Sequence, residues 1–367
     1  MKILYLTKYT RMAGSSRMRS YQYFPYLEKE GMKVSVKPFF DEAYLQDFYA
    51  GKKNIGAVIK SYLHRFFVLF TVLRYDRVVI EKEIFPFLPA FAEWMMKTLD
   101  IKYIVDYDDA IFHNYDLSTN PIIRKFLGAK IAKVMSYSGT VVAGNSYLAE
   151  YARKAGAKNI EIIPTVIDIE RYPSKHNSSA HKPFTDGERL DLQENSKFVV
   201  GWIGTKTTFE KHLLPCKEWI KELQNLDPDI HFHIVGITED IDLGENVKYI
   251  PWTEETEVPE ILKMDLGIMP LQDSQWEKGK CAYKLIQYAA CGIPGVASDV
   301  GMNKEVCIDN ETGFIANNAA EWIEKIKLLK KETEKRLLLG QNARKLVENK
   351  YCIQVTSEHW LQILKKK

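Results

Sequence analysis

A short apolar run, a turn of small residues and a helix-length stretch recur along the chain, and after one polar interruption the succession starts again. Residues 2–7 form the first run. A polar turn at 10–16 follows, with Gly14 in it, then a helix predicted over 17–30, a stop at Gly31 and a strand at 34–38. Further strands are predicted at 77–80, 103–106, 140–143 and 160–163, with helices at 89–99 and 146–155. Strands that alternate with helices need crossover connections, which makes the sheet parallel and doubly wound. Residues 172–196 break the rhythm with Ser, Lys, His, Asp and Pro and read as a linker or exposed loop. The pattern resumes with strands at 197–203, 230–235, 265–269 and 295–298. Helices follow at 209–226, 283–291, 321–329, 334–349 and 358–364. Two such units in series lead to an expectation of two α/β domains, their sheets facing across a cleft. Ligands of open parallel sheets bind outside the carboxyl ends of the strands.

At about 100–200 residues per domain, 367 residues suit two domains. A net charge of +3 gives no basic stripe, so nucleic acid is not an expected partner. The five cysteines match neither zinc-site nor disulfide spacing, and reduced thiols packed as small hydrophobes favour the cytosol. The N-terminus has too short an apolar core for a signal peptide, and the longest apolar run, 66–73, stops at Arg74. No G-x-G-x-x-G follows the first strand and no P-loop occurs, which disfavours a nicotinamide dehydrogenase.

Three features of the second half suit a bound diphosphate. First, the strand ending Val200-Gly201-Trp202-Ile203 runs into Gly204-Thr205-Lys206-Thr207-Thr208, a turn able to aim N–H groups and hydroxyls at an anion, with Lys206 and Lys211 adding charge. A tight turn with solvated lysines explains it equally well. Second, Lys278, Lys280 and Lys284 surround Gly279 ahead of a helix. Cations there oppose the helix dipole, and an anion relieves the conflict; a solvated basic turn is the alternative. Third, Ala289, Ala290 and Gly292 permit close helix–sheet packing, and Gln287 is either a ribose contact or a surface glutamine.

In the first half, Asp106-Tyr107-Asp108 has the look of a metal-binding acid pair, but it follows a strand in the first of two α/β domains. Asp108 or Asp109 is expected instead to face acceptor or sugar hydroxyls or to move a proton, with a helix N-cap at Asp109 as the alternative. Arg17 is read either as reaching a phosphate or as a surface ion pair, and Glu81 and Glu83 as solvated loop acids in preference to groups that meet acceptor hydroxyls. The stretch 55–74 mixes basic and apolar residues. A core-facing helix is preferred there over a membrane surface.

The segments Asp265-Leu266-Gly267-Ile268-Met269-Pro270 and Gly279-Lys280-Cys281-Ala282-Tyr283-Lys284-Leu285-Ile286-Gln287-Tyr288 resemble the donor-binding region of glycosyltransferase family 4. Ser15-Ser16-Arg17-Met18-Arg19, Asp106-Tyr107-Asp108-Asp109, Ala143-Gly144-Asn145-Ser146 and Ile163-Pro164-Thr165 resemble a bacterial branch with a GKCxxKxxQY-type motif. The resemblance implies a GT-B fold: two Rossmann-like doubly wound domains facing a cleft, at 1–170 and 197–349, joined by 171–196, with a helix at about 350–367 crossing back to the first. It implies a retaining glycosyltransferase with a nucleotide-sugar donor, a glycan or lipid-linked acceptor, and no metal or other cofactor. A cytoplasmic setting is expected, with peripheral contact at the inner face of the membrane as the alternative that residues 55–74 leave open. Asp108, Asp109, Lys211 and Lys284 become the expected catalytic set. Gly204, Thr205, Lys206, Thr207, Lys280, Tyr283 and Gln287 become the donor set, and Gly14, Ser15, Ser16 and Arg17 the acceptor or diphosphate set. The family's second donor glutamate falls at Gln287 and its first near Gly279 or Lys280, so this chain brings no negative charge there. A nucleotide-sugar epimerase of the same fold and a non-catalytic binder are the alternatives.

Overall fold

The computed structural model describes residues 1–175 and 197–366, so most of the expected linker, 176–196, lies outside the described residues. The first sheet contains β1 (Lys2–Leu6), β2 (Lys33–Val36), β3 (Arg77–Glu81), β4 (Tyr103–Tyr107), β5 (Thr140–Ala143) and β6 (Ile160–Ile162). Its order is β2-β1-β3-β4-β5-β6, parallel throughout. The second contains β7 (Phe198–Ile203), β8 (Ile230–Val235), β9 (Val247–Ile250), β10 (Leu266–Met269), β11 (Gly295–Ala297) and β12 (Gly313–Ile315). It runs β12-β11-β10-β7-β8-β9, also parallel. The chain's winding direction reverses between β1 and β3 in one sheet and between β7 and β10 in the other. Such switch points open a crevice at the strand ends.

The residues explain the elements. Val78, Val79 and Ile80 are buried, as are Val141, Val142 and Ala143, because strands covered on both faces need no polar alternation. Asn145 caps the Ser146–Lys154 helix by accepting from the Leu148 N–H, and Asn54 caps Ile55–Leu69 by accepting from Ala57. β9 and β12 were not anticipated. Both are short edge strands, and Gly313 opens the second. The single helix expected over 17–30 is broken into Gly14–Arg19, a tight turn at Tyr21–Tyr23 and Phe24–Lys29. Pro25 lacks an N–H and its ring excludes a regular preceding turn. Pro215 does the same to the 209–226 stretch, whose regular part is Lys217–Leu226.

Two compact units result. One comprises Met1–Val166, Lys278–Cys281 and Thr356–Lys367; the other comprises Ile167–Glu277 and Ala282–Val355. The last described helix contributes to the first unit, where Trp360 donates its indole N–H to the Tyr5 hydroxyl at 2.8 Å and Thr356 meets the Tyr23 hydroxyl at 2.9 Å. The second unit's core includes Trp219 stacked on Trp322. The five cysteines are free, and burial pushes the Cys281, Cys291 and Cys307 thiols up to about 12, so they stay neutral.

One expectation is overturned. The Ile55–Leu69 helix turns only Ser61, Arg65 and Val68 fully inward and leaves Ile59, Leu63, Phe66 and Phe67 in solvent. It is not a core-facing helix. Arg65 occupies the inward side, donating to the carbonyls of Thr7 and Lys37 at 2.8 and 3.0 Å and lying over the Phe39 ring.

Candidate functional site

In the first unit β1, β3 and β4 are adjacent, so their carboxyl ends deliver side chains to one place. The loop after β1 brings Ser15 and Ser16, β3 ends in Glu81 with Lys82 just after it, and β4 leads into Asp108 and Asp109. Ser16 donates to both Glu81 carboxylate oxygens at 3.0 and 2.7 Å, and the Lys8 N–H adds a third bond at 3.1 Å. Lys82 reaches Asp108 at 2.9 Å and Ser15 at 3.0 Å, and Ser15 donates to the other Asp108 oxygen. Lys82 holds a left-handed backbone, φ 70°, which a residue with a Cβ adopts only when its surroundings compel it. Next to this, Arg19 forks onto Asp106 and donates to the Ile163 carbonyl at 2.8 Å. That pairing occupies Asp106, the first acid of the triplet read above as metal-like. Among the described residues, no three His, Cys, Asp or Glu side chains gather as a metal site would need.

Burial opposes ionisation of Asp108, but the Lys82 ammonium and the Ser15 hydroxyl outweigh it and hold the carboxyl at about 2. Asp109 behaves oppositely. Burial and the adjacent Asp108 charge push it up to about 6, against the pull of Lys82 and Lys280. Two neighbouring acids therefore sit on opposite sides of the usual carboxylate range, an arrangement typical of sites that handle protons.

Lys278–Cys281 belongs to this unit. Asn145 donates to the carbonyls of Gly279 and Lys280 at 2.9 and 3.1 Å, and the Cys281 thiol donates to the Asp108 carbonyl at 3.1 Å. A Cβ on Gly279 would fall 2.7 Å from the Ala110 nitrogen, so only glycine fits.

In the second unit β7 runs into Gly204 at the switch point with β10. A Cβ on Gly204 would lie 2.5 Å from the Trp202 ring and 2.7 Å from the Thr208 hydroxyl. Thr205 and Thr208 brace the turn, with the Thr205 N–H donating to the Thr208 hydroxyl at 3.1 Å, and Thr205, Lys206 and Thr207 stay exposed. The Lys284 ammonium lies 5.2 Å from the Trp202 ring centre, so Trp202 joins that lysine to the turn. Lys284 is the second residue of the Tyr283–Ala290 helix, which no side chain caps and which starts from Ala282 at φ 50°.

The expected residues thus divide. Ser15, Ser16, Asp108, Asp109 and Lys280 come together in the first unit. Gly204, Thr205 and Lys284 come together in the second. Gly14 is exposed at its helix start, and Arg17 is buried and not at the surface. Asp109 caps no helix, since the next begins at His113. Lys206 pairs with Glu239 in solvent. Lys211 pairs at 2.5 Å with Glu277, whose carboxylate is buried among Lys211, His212 and Ser274. Tyr283 is half-buried. Gln287 is no surface glutamine: it is buried and donates to the Tyr172 hydroxyl at 3.3 Å, which in turn donates to Glu257. Lys278 and Lys280 fall in one unit and Lys284 in the other, so the anticipated lysine trio is not assembled within either.

Glu81 and Glu83 are not solvated. Glu81 belongs to the cluster, and Glu83 is buried against Lys130 and the Tyr115 hydroxyl. Sequence reasoning missed Lys82, Trp202 and Glu277 as site residues and preferred a solvated loop position for Glu81. An acid–base–acid run, Glu81-Lys82-Glu83, closing an apolar strand was the available signal for two of them.

Residues 206–346 match the sequence family described as Glycosyl transferases group 1. Spore coat protein SA of Bacillus subtilis (strain 168) is 26% identical over 140 residues, 37% of this chain and 35% of that protein. The putative teichuronic acid biosynthesis glycosyltransferase TuaH of the same organism is 24% identical over 222 residues, 54% of this chain and 52% of that one. The matched stretches therefore span a third to a half of these relatives. The crystal structure of Anabaena HepE in complex with UDP-glucose matches with a TM-score of 0.70 at 16% identity, over 100% of each chain. At that identity the likeness is one of fold, and the fold is GT-B, as the sequence led us to expect.

Proposed function

We propose that this chain transfers a sugar from a nucleoside diphosphate sugar to a glycan or lipid-linked hydroxyl, with retention at the anomeric carbon. The observation that carries the reading is the convergence of Gly204, Thr208, Trp202 and Lys284 at the β7/β10 switch point. That place lies in and beside the stretch matching the glycosyltransferase family. The UDP-glucose bound to HepE and the likeness to TuaH, named as a glycosyltransferase of teichuronic acid biosynthesis, support the same class of donor and reaction.

In this reading the second unit holds the diphosphate. As the bond between the anomeric carbon and the phosphate oxygen breaks, negative charge grows on the leaving group. Lys284 and the hydroxyl-rich turn then stabilise the transition state more than the ground state. The acceptor oxygen forms the new bond to carbon on the face the phosphate leaves, and its proton passes to the departing phosphate. Asp109, with its raised affinity for protons, and Asp108, fixed as a carboxylate by Lys82, would bind sugar or acceptor hydroxyls. Lys211 and Lys280 serve in a supporting way, one neutralising Glu277 and one facing Asp109. Gln287 acts through Tyr172 as a positioning residue for the helix that carries Lys284. No step in this scheme calls for a metal.

A thermal-melting screen against UDP-, GDP- and other nucleotide sugars tests the reading. A donor at 100 times its Kd adds about 2.7 kcal/mol, an upward shift of roughly 5–10 °C for units of this size. Lys284→Ala is expected to abolish the shift. An intact shift in that variant would refute the phosphate assignment, and conversion of donor alone to a new epimer would favour the epimerase.

A further inference from the structure

The Ile55–Leu69 helix is amphipathic in the reverse of the usual sense. At 100° per residue, Ile55, Ile59, Leu63, Phe66, Phe67 and Phe70 fall on one continuous arc, and they are 46–74% exposed. The inward face instead holds Ser61, Arg65 and Val68. Isolated exposed apolar residues need no explanation, but a continuous stripe of this size does. The stripe extends sideways. Tyr62 stacks on Phe85, and the stretch that follows exposes Phe87 and Trp94.

Charge identifies the occupant. From Phe48 to Tyr75 the sequence contains no Asp or Glu. Lys52 and Lys53 precede the helix, Arg74 follows it and Lys60, 3.8 Å from the exposed Asp41, borders the arc beside Phe67, all four exposed. We propose that this face docks on an anionic lipid surface, with the phenylalanines entering the headgroup–acyl boundary and the lysines meeting lipid phosphates. A second copy of the chain would set like charges against one another across the contact. The helix, about 22 Å long, lies on the bilayer. Among the described residues no helix is long and apolar enough to cross it. The proposal stands independently of the transferase reading, since it uses none of the residues assigned to donor or acceptor.

Sedimentation of the full chain with lipid vesicles tests it. Vesicles of phosphatidylcholine with about 30% phosphatidylglycerol are expected to bring the chain down, pure phosphatidylcholine far less, and added salt weakens the binding. The combined variant Phe66→Ser, Phe67→Ser, Phe70→Ser is expected to lose binding while keeping its melting temperature, because the three side chains are exposed. The combined variant Lys52→Gln, Lys53→Gln, Lys60→Gln should bind roughly a hundredfold more weakly, about fivefold per lysine. The proposal is overturned if the chain stays in the supernatant with anionic vesicles, or if the phenylalanine variant binds unchanged. It is equally overturned if the chain dimerises in sedimentation velocity and that variant is monomeric, which would assign the face to a second copy.

Discussion

Asp108 and Asp109 are adjacent in sequence and opposite in behaviour, because one faces a buried ammonium while burial and its neighbour's charge both oppose ionisation of the other. Above about pH 6 the folded chain holds Asp109 ionised at a cost; below about pH 3 the carboxyl is neutral in folded and unfolded states alike and that cost vanishes. Asp109→Asn should therefore be the more stable protein at pH 7.5, by at most about 3 kcal/mol because some solvent still reaches the group, with most of the margin gone at pH 4. The same change removes a charged hydroxyl-binding group and should slow sugar transfer by roughly tenfold. Urea unfolding at the two pH values and a turnover assay read both effects; a variant that matches wild type in stability at both would refute the assigned environment. Ser15, Ser16 and Asp108 were legible as candidates because loop residues after apolar strands point to a sheet's working end. Glu81 and Lys82 were not read as partners, since their meeting depends on β3 lying between β1 and β4, a pairing that local pattern does not carry. Gln287 shows the converse: its position in a helix was clear, but its partner Tyr172 is more than a hundred residues away.

Elements with strong local signals were legible to within a few residues. The Ser146–Lys154 helix, started by Asn145 and followed by Gly156 at φ 83°, is one case. Elements decided by tertiary context were not. The outward-facing Ile55–Leu69 helix is one, its inward side holding Arg65, which donates to the carbonyls of Thr7 and Lys37; the break in the 17–30 stretch, by contrast, follows from Pro25, a local signal that the expectation of a single helix left unused. Close helix–sheet approach in the second unit was expected from Ala289, Ala290 and Gly292; the approach the structure shows is at Gly267, which was not among them. A Cβ there would lie 2.2 Å from the ring of Tyr288, which is buried and accepts the Ile203 N–H at 3.1 Å. The ring has no room to move. Gly267→Ala should cost about 1–3 kcal/mol and lower the melting temperature by several degrees. An unchanged melting curve would mean that β10 and the Tyr283–Ala290 helix are less tightly apposed than described.

At the scale of the whole molecule, two runs of the same strand–turn–helix grammar gave the class of fold, and the strand orders refine it. The second unit reverses at β7/β10, and there the glycine turn and Lys284 converge. The first reverses at β1/β3, and there the serines meet Glu81 and Lys82. Each unit thus concentrates its polar chemistry where parallel sheets offer a crevice. The assignment of Lys278–Cys281 to the first unit was beyond sequence reasoning, since the contacts that hold it, from Asn145 and to Asp108, span more than a hundred residues. The most direct test is a structure of the chain bound to a nucleoside diphosphate sugar. The two phosphates are expected against the Lys284 ammonium and the Gly204–Thr208 turn. A donor found bound elsewhere, with Lys284 turned to bulk water, would contradict the proposed chemistry.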